Sequence, residues 1–200
     1  MTLFTGLDLG QVSDPTAMAV IDASGPVDER LCLVRHLERW PLGSKYTSIA
    51  DDMEAMMGKP ALEGSALIVD HTGVGRGVVD VFREKPILSR LHAVTITGGS
   101  KVTRENLDWH VPKKDLVAVV QVLLEAGRLK IAPQLAEAQT LIRELANFQM
   151  KITQAGNDTY GAWREGTHDD LVLAVALACW AATCEELIKL RSLRGLFFRR

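Results

Sequence analysis

The segment Leu3-Phe4-Thr5-Gly6-Leu7-Asp8-Leu9-Gly10 constrains this chain more than any other. It predicts a short buried strand with a carboxylate near its end and a glycine just beyond. An apolar strand gains nothing from Asp8 by packing. A buried carboxylate costs several kcal/mol unless a cation or hydrogen-bond donors answer it. The pattern recurs twice. Ala66-Leu67-Ile68-Val69-Asp70 is a second apolar run that ends on an acid, and Thr167-His168-Asp169-Asp170 opens an otherwise apolar helix. Singly, each acid has a local explanation: Asp8 and Asp70 as caps of the turns after their strands, Asp170 as the acid of a capping box with Thr167. Jointly, acids at the ends of three buried elements predict one shared site, and divalent metal supplies the charge that holds them together.

The chain has 200 residues, which suits one domain with a substantial core. A hydrophobic fraction of 47% and a charged fraction of 24% are those of a soluble globular protein. The net charge of −2 announces no nucleic-acid partner, but a cluster of metal-binding acids masks a local basic surface, so DNA and RNA stay open. Cys32, Cys179 and Cys184 include no pair at CxxC spacing and read as reduced structural residues of an intracellular protein. Met1-Thr2-Leu3 leads directly into the first strand, without the pattern of a signal peptide. The apolar run from Leu171 to Ala182 falls short of the about 20 residues a bilayer requires.

Periodicity gives the order of elements. A second strand over 16–22 follows the turn Ser13-Asp14-Pro15, and Gly25-Pro26 makes the next turn. Residues 30–40 place Leu31, Leu33, Arg35 and Leu37 in alternation, as on one face of a half-buried strand. Three strands joined by short turns form an antiparallel meander. Tyr46, Ile49, Met53 and Met56 mark a helix over 44–57, stopped by Gly58-Lys59-Pro60. Residues 65–70 form a strand covered on both faces, 74–83 a helix and 92–97 a further strand, a parallel crossover unit. A polar loop or hairpin spans 98–110. A helix runs from Pro112 to Ala126, a short edge strand covers 129–131, and Leu135, Leu141, Ile142 and Leu145 mark another helix. A hairpin is expected over 148–163 and a last helix from about His168 past Ala182.

Gly73-Val74-Gly75-Arg76-Gly77 resembles a dinucleotide loop, but Val78 stands where GxGxxG requires glycine. A tight turn feeding a helix is the better reading. No Ser-His-Asp or Cys-His set is evident, and His36, His92 and His110 carry no partner pattern.

The order of strands, helices and acids resembles the ribonuclease H-like nucleases. It resembles most the C-terminal nuclease domain of the large terminase subunit of tailed phages. The pieces that carry the likeness are Gly6-Leu7-Asp8-Leu9-Gly10 followed by Asp14-Pro15-Thr16-Ala17, and Val69-Asp70-His71-Thr72-Gly73-Val74-Gly75. Val111-Pro112-Lys113-Lys114-Asp115-Leu116-Val117 and His168-Asp169-Asp170-Leu171 follow in the family's order. The resemblance implies a mixed α/β fold, three antiparallel strands then parallel ones, over 1–188, with a basic-aromatic tail over 189–200. A GxxxxGK[ST] loop, which the packaging ATPase of whole terminases needs, is absent from the sequence.

With that resemblance the acids acquire roles. The expected activity is a metal-dependent endonuclease that cuts DNA with two Mg²⁺ or Mn²⁺ ions. Asp8 is expected to bridge the ions, Asp70 to hold one, and Asp169 or Asp170 the other. Asp14 is a possible outer ligand and His168 a possible auxiliary. Between the neighbours the resemblance does not decide; helix geometry favours Asp169 as the main ligand and Asp170 as the cap and an alternate ligand. Lys101, Arg104, Lys113 and Lys114 are the candidates for DNA-phosphate contacts. Expected partners are double-stranded DNA, a packaging ATPase motor, and a portal or small terminase subunit. The expected place is the cytoplasm of a bacterial host, with no membrane. A Holliday-junction resolvase-like nuclease, an actin-like ATPase fragment and a non-catalytic nucleic-acid-binding module are the competing readings.

Overall fold

The computed structural model describes residues 2–10, 14–88, 91–147 and 169–190. In chain order the elements are β1 (Thr2–Asp8), β2 (Ala17–Ser24), β3 (Leu31–Arg39), α1 (Tyr46–Met57), β4 (Ala66–Asp70) and α2 (Arg76–Arg83). Then come β5 (His92–Thr97), β6 (Thr103–Glu105), β7 (Asp108–Pro112), α3 (Lys113–Glu125), β8 (Leu129–Ile131), α4 (Ala138–Asn147) and α5 (Asp170–Thr183). The expected hairpin over 148–163 and the tail beyond 190 lie outside the described residues.

Among the described residues the strands form one 8-stranded sheet in the order β6-β7-β5-β4-β1-β2-β3-β8. β1, β2 and β3 make the antiparallel meander, and β4 joins β1 in parallel, followed by β5 and β7. The polar segment after β5 is a hairpin, β6 against β7, and β8 is the short edge strand beside β3. The mixed α/β sheet expected from the sequence is therefore present, with β1 inside it and covered on both sides.

Two apolar layers flank the sheet. Leu7, Leu9, Met18, Val20, Leu67 and Val69 pack with Ile49, Met53, Val79 and Phe82 of α1 and α2. Phe4, Ala17, Ala19, Ile21, Ile68 and Val94 pack with α3, α4 and α5 on the other face. β4 is buried along its whole length, as its unbroken apolar run requires. α5 is buried from Asp170 to Ala182, so its near-continuous apolar sequence has no water-facing side to serve.

One sequence expectation is corrected. Leu31, Leu33, Arg35 and Leu37 do not share one buried face; Cys32, Val34 and Leu37 are the buried residues of β3. The cause is a bulge. Val20 pairs with His36 and Ile21 with Val34, so Arg35 has no opposite residue. One extra residue reverses the alternation, so Leu37 and Arg39 fall on the same face as Cys32 and Val34.

Candidate active site

Asp8 and Asp70 are each the last residue of a strand, and they are register partners across the parallel β1–β4 ladder. The row continues outward from Asp8 through Ala17 to Arg39, and from Asp70 to Val94. Residues opposite one another point to the same face, and Ala17 and Val94 belong to the layer that contains α5. Both acids therefore point toward α5, with exposures of 7% and 1%. Asp70 also acts as the turn cap its position suggested, since its Oδ1 accepts the Thr72 N–H at 2.7 Å.

A glycine sets how close the third acid comes. A side chain on Gly6 would begin 2.0 Å from the Ala174 carbonyl oxygen and 3.0 Å from the Ala178 nitrogen. Only glycine lets α5 lie this near β1. Asp170, the first residue of α5, is one turn before Ala174 and so shares its sheet-facing side. It is 2% exposed. Arg39 Nη2 donates to Asp170 Oδ2 at 2.6 Å, which ties the start of α5 to the row of Asp8 and Asp70.

The first turn of α5 is capped from outside. Glu144 Oε2, on α4, accepts the N–H groups of Leu171 and Val172 at 3.0 and 3.1 Å. Glu144 Oε1 lies 3.9 Å from Arg39 Nη1. This corrects the expectation that Asp170 acts as the acid of a capping box. Such an acid stands three residues after the N-cap, whereas Asp169 is the N-cap and Asp170 follows it directly. Asp169 itself makes no side-chain cap hydrogen bond.

The crowd of acids is electrostatically expensive. Burial, then the charges of Asp170 and Glu144, push Asp169 up to about 8 from 3.8, with Lys113 pulling the other way. Burial also pushes Glu144 up to about 7, against the stabilising Val172 N–H and Arg39. Buried carboxylates are the donor type that a divalent cation prefers, since it takes oxygen ligands and brings two charges. Among the described residues no three His, Cys, Asp or Glu side chains stand close enough together to hold a metal ion.

The remaining predicted residues lie around this centre. Asp14 lines a cavity of about 250 Å³ with Gly10, Thr16, Pro41, Gly43, Ser44 and Tyr46, between the β1–β2 and β3–α1 connections. Lys113 begins α3 and is close enough to stabilise the Asp169 carboxylate; Lys114 follows it. Lys101 is exposed on the β5–β6 connection. Arg104 is engaged within the fold, stacked 5.1 Å from the Trp109 ring and paired with Glu186 at 2.7 Å. His168 lies outside the described residues. Arg39 and Glu144 were not singled out from the sequence. Glu144 left a signal, an acid in line with buried Ala138 and Leu141 on the inward stripe of α4. Arg39 left none, because the bulge that aims it is not legible in the sequence.

No family model and no curated protein sequence matches the chain. Solved structures do. The large terminase nuclease of the thermophilic phage G20c aligns at 21% identity, over 88% of this chain and 80% of that one, with a TM-score of 0.62. The human cytomegalovirus terminase nuclease domain, soaked with Mn and inhibitor-bound, aligns at 16% identity over 95% and 86%, with a TM-score of 0.59. The large terminase nuclease domain of bacteriophage SPP1, with bound Mn, aligns at 16% identity over 89% and 85%, with a TM-score of 0.57. The chain has the ribonuclease H-like α/β fold of the large terminase nuclease domains.

Proposed function

We propose that the chain is a divalent-metal-dependent endonuclease that cuts DNA, the nuclease part of a phage genome-packaging terminase. The observation that carries the reading is the pairing of Asp8 with Asp70 at the ends of adjacent parallel strands, with Asp170 held over the same row by Arg39. Two of the structural neighbours, one soaked with Mn and one with bound Mn, support it. Double-stranded DNA is the substrate, and a packaging ATPase motor and a portal or small terminase subunit are the partners in this reading.

Asp8, Asp70 and Asp170 would hold the ions, Mg²⁺ or Mn²⁺. Two such ions, when bound, activate water and neutralise charge on the cut phosphodiester. The protein's part is rigidity and exclusion of water. Asp8 sits on an internal strand hydrogen-bonded on both sides, so its backbone cannot yield when like charges gather. Asp70 is fixed by the Thr72 N–H. The α5 contribution is assigned to Asp170 rather than Asp169, because Asp170 shares the Ala174 side that meets β1. Asp169, about 100° away around the axis, lies within the field of Lys113. Lys113, which acts on the Asp169 carboxylate, and its neighbour Lys114 are the first choice for contacts to the DNA backbone, followed by the exposed Lys101. Arg104, already engaged with Trp109 and Glu186, is the weakest of the four.

The decisive experiment is incubation of supercoiled plasmid with the full chain and Mn²⁺ or Mg²⁺. Nicking and linearisation that stop in EDTA are the expected result. Cleavage that continues in EDTA, or no cleavage with either metal, overturns the reading.

A further inference from the structure

Two arginines of β3 meet buried aspartates in different ways. Arg35 grips Asp22 with both Nε and Nη2, at 3.3 and 2.9 Å. Arg39 holds Asp170 through Nη2 alone, and its buried Nε has no hydrogen-bond partner among the described residues. The Arg39 side chain is 21% exposed, against 3% for Asp170. Its second nitrogen is 3.9 Å from Glu144, a loose contact. Arg39 thus brings positive charge to the acid row through a single short bond. The β3 bulge that buries Leu37 also turns Arg39 inward, at the end of the strand.

We propose that Arg39 is the internal counter-ion of the acid row and is exchanged for the divalent cation when the site loads. The proposal rests on the acids being a metal site. A monovalent and a divalent cation repel each other across a few ångströms of low-dielectric interior, and Asp170 Oδ2 cannot serve both at full strength. Each therefore weakens the other, by the reciprocity that binds any two competing ligands. Arg39 supports the fold without metal and lowers its affinity for metal. A residue with only a structural role would do the first and not the second.

The test is the affinity of the full chain for Mn²⁺, measured by calorimetry and by Mn²⁺ paramagnetic resonance at one fixed pH for wild type and variants, because metal binding competes with protons for carboxylates. Arg39→Met removes the charge and keeps the bulk. Its expected affinity is higher by about tenfold, together with a lower melting temperature in EDTA and a larger upward shift on adding Mn²⁺. Equal or weaker affinity overturns the exchange. If Arg39→Met does not fold without metal, the wild-type chain answers instead. Its Arg39 Nε–H resonance is expected to move along the Mg²⁺ titration with the curve of metal binding, and a resonance that stays put overturns the proposal. Asp8→Asn separates the two levels of inference. If the wild type binds no Mn²⁺, or Asp8→Asn binds as well as the wild type, the metal-site reading itself fails.

Discussion

Asp8 and Asp70 stand opposite each other on neighbouring parallel strands, each the last residue of its strand. Two like charges are seldom placed so in a sheet, because carboxylates that close raise each other's cost of ionisation. The fold tolerates the arrangement by ending both strands there and laying the start of α5 above them.

Asp8→Asn and Asp70→Asn each remove one charge and little volume. In Asp70→Asn the new amide keeps an oxygen to accept the Thr72 N–H. Metal-dependent cleavage is expected to fall by about 100-fold or more in each, the scale of losing one preorganised charge-stabilising group. Stability in EDTA should hold or rise, because repulsion is relieved. Plasmid cleavage and thermal unfolding check both halves, and a variant that unfolds or cuts at the wild-type rate contradicts the assignment.

The neighbours on α5 should part company. Asp170→Asn weakens the bond to Arg39 and is expected to cost about 1–3 kcal/mol of stability in EDTA along with cleavage. Asp169→Asn removes the acid that burial and its neighbours most oppose, so stability at pH 8 should hold or rise. Urea unfolding of the two variants, beside their cleavage rates at saturating Mn²⁺, decides the division. Loss of cleavage in Asp169→Asn alone would move the ligand role to Asp169.

Gly6→Ala tests the closeness of α5 to β1. Its new methyl group would meet the Ala174 carbonyl at 2.0 Å, a clash with backbone that no rotamer relieves. The expected cost is about 1–3 kcal/mol or more, with reduced Mn²⁺ affinity as Asp170 is lifted from the row. A variant as stable as the wild type would mean that α5 sits farther away.

The metal-free protein should lose stability as pH rises. Asp169 and Glu144 have folded values of about 8 and about 7, raised from 3.8 and 4.5. Between those limits the folded state keeps protons that the unfolded chain has released. Their contribution is thus fully present below about pH 4 and lost progressively as the pH climbs to about 8. Melting temperatures in EDTA across that range are expected to fall on account of these groups, and Asp169→Asn should flatten the upper part of the slope. A slope unchanged in that variant would remove Asp169 as its source.

Much of this was legible in the chain because it depends on local pattern. Period-2 and period-3.6 spacing marked the strands and helices, and an acid at the end of an apolar run is conspicuous wherever it falls, as with Asp8 and Asp70. What the sequence could not determine is what lies across the gaps of the chain. Arg39 reaches Asp170 131 positions away only because an unmatched Arg35 reverses the faces of β3. Glu144 caps the first turn of a helix from a separate element, in place of the local cap that Thr167 and Asp170 suggested. Local propensity is set by a residue and its near neighbours, and the sequence displays it. Electrostatic partnership is set by distance in space, so only the packing of α4 and α5 on the sheet decided which charges would meet.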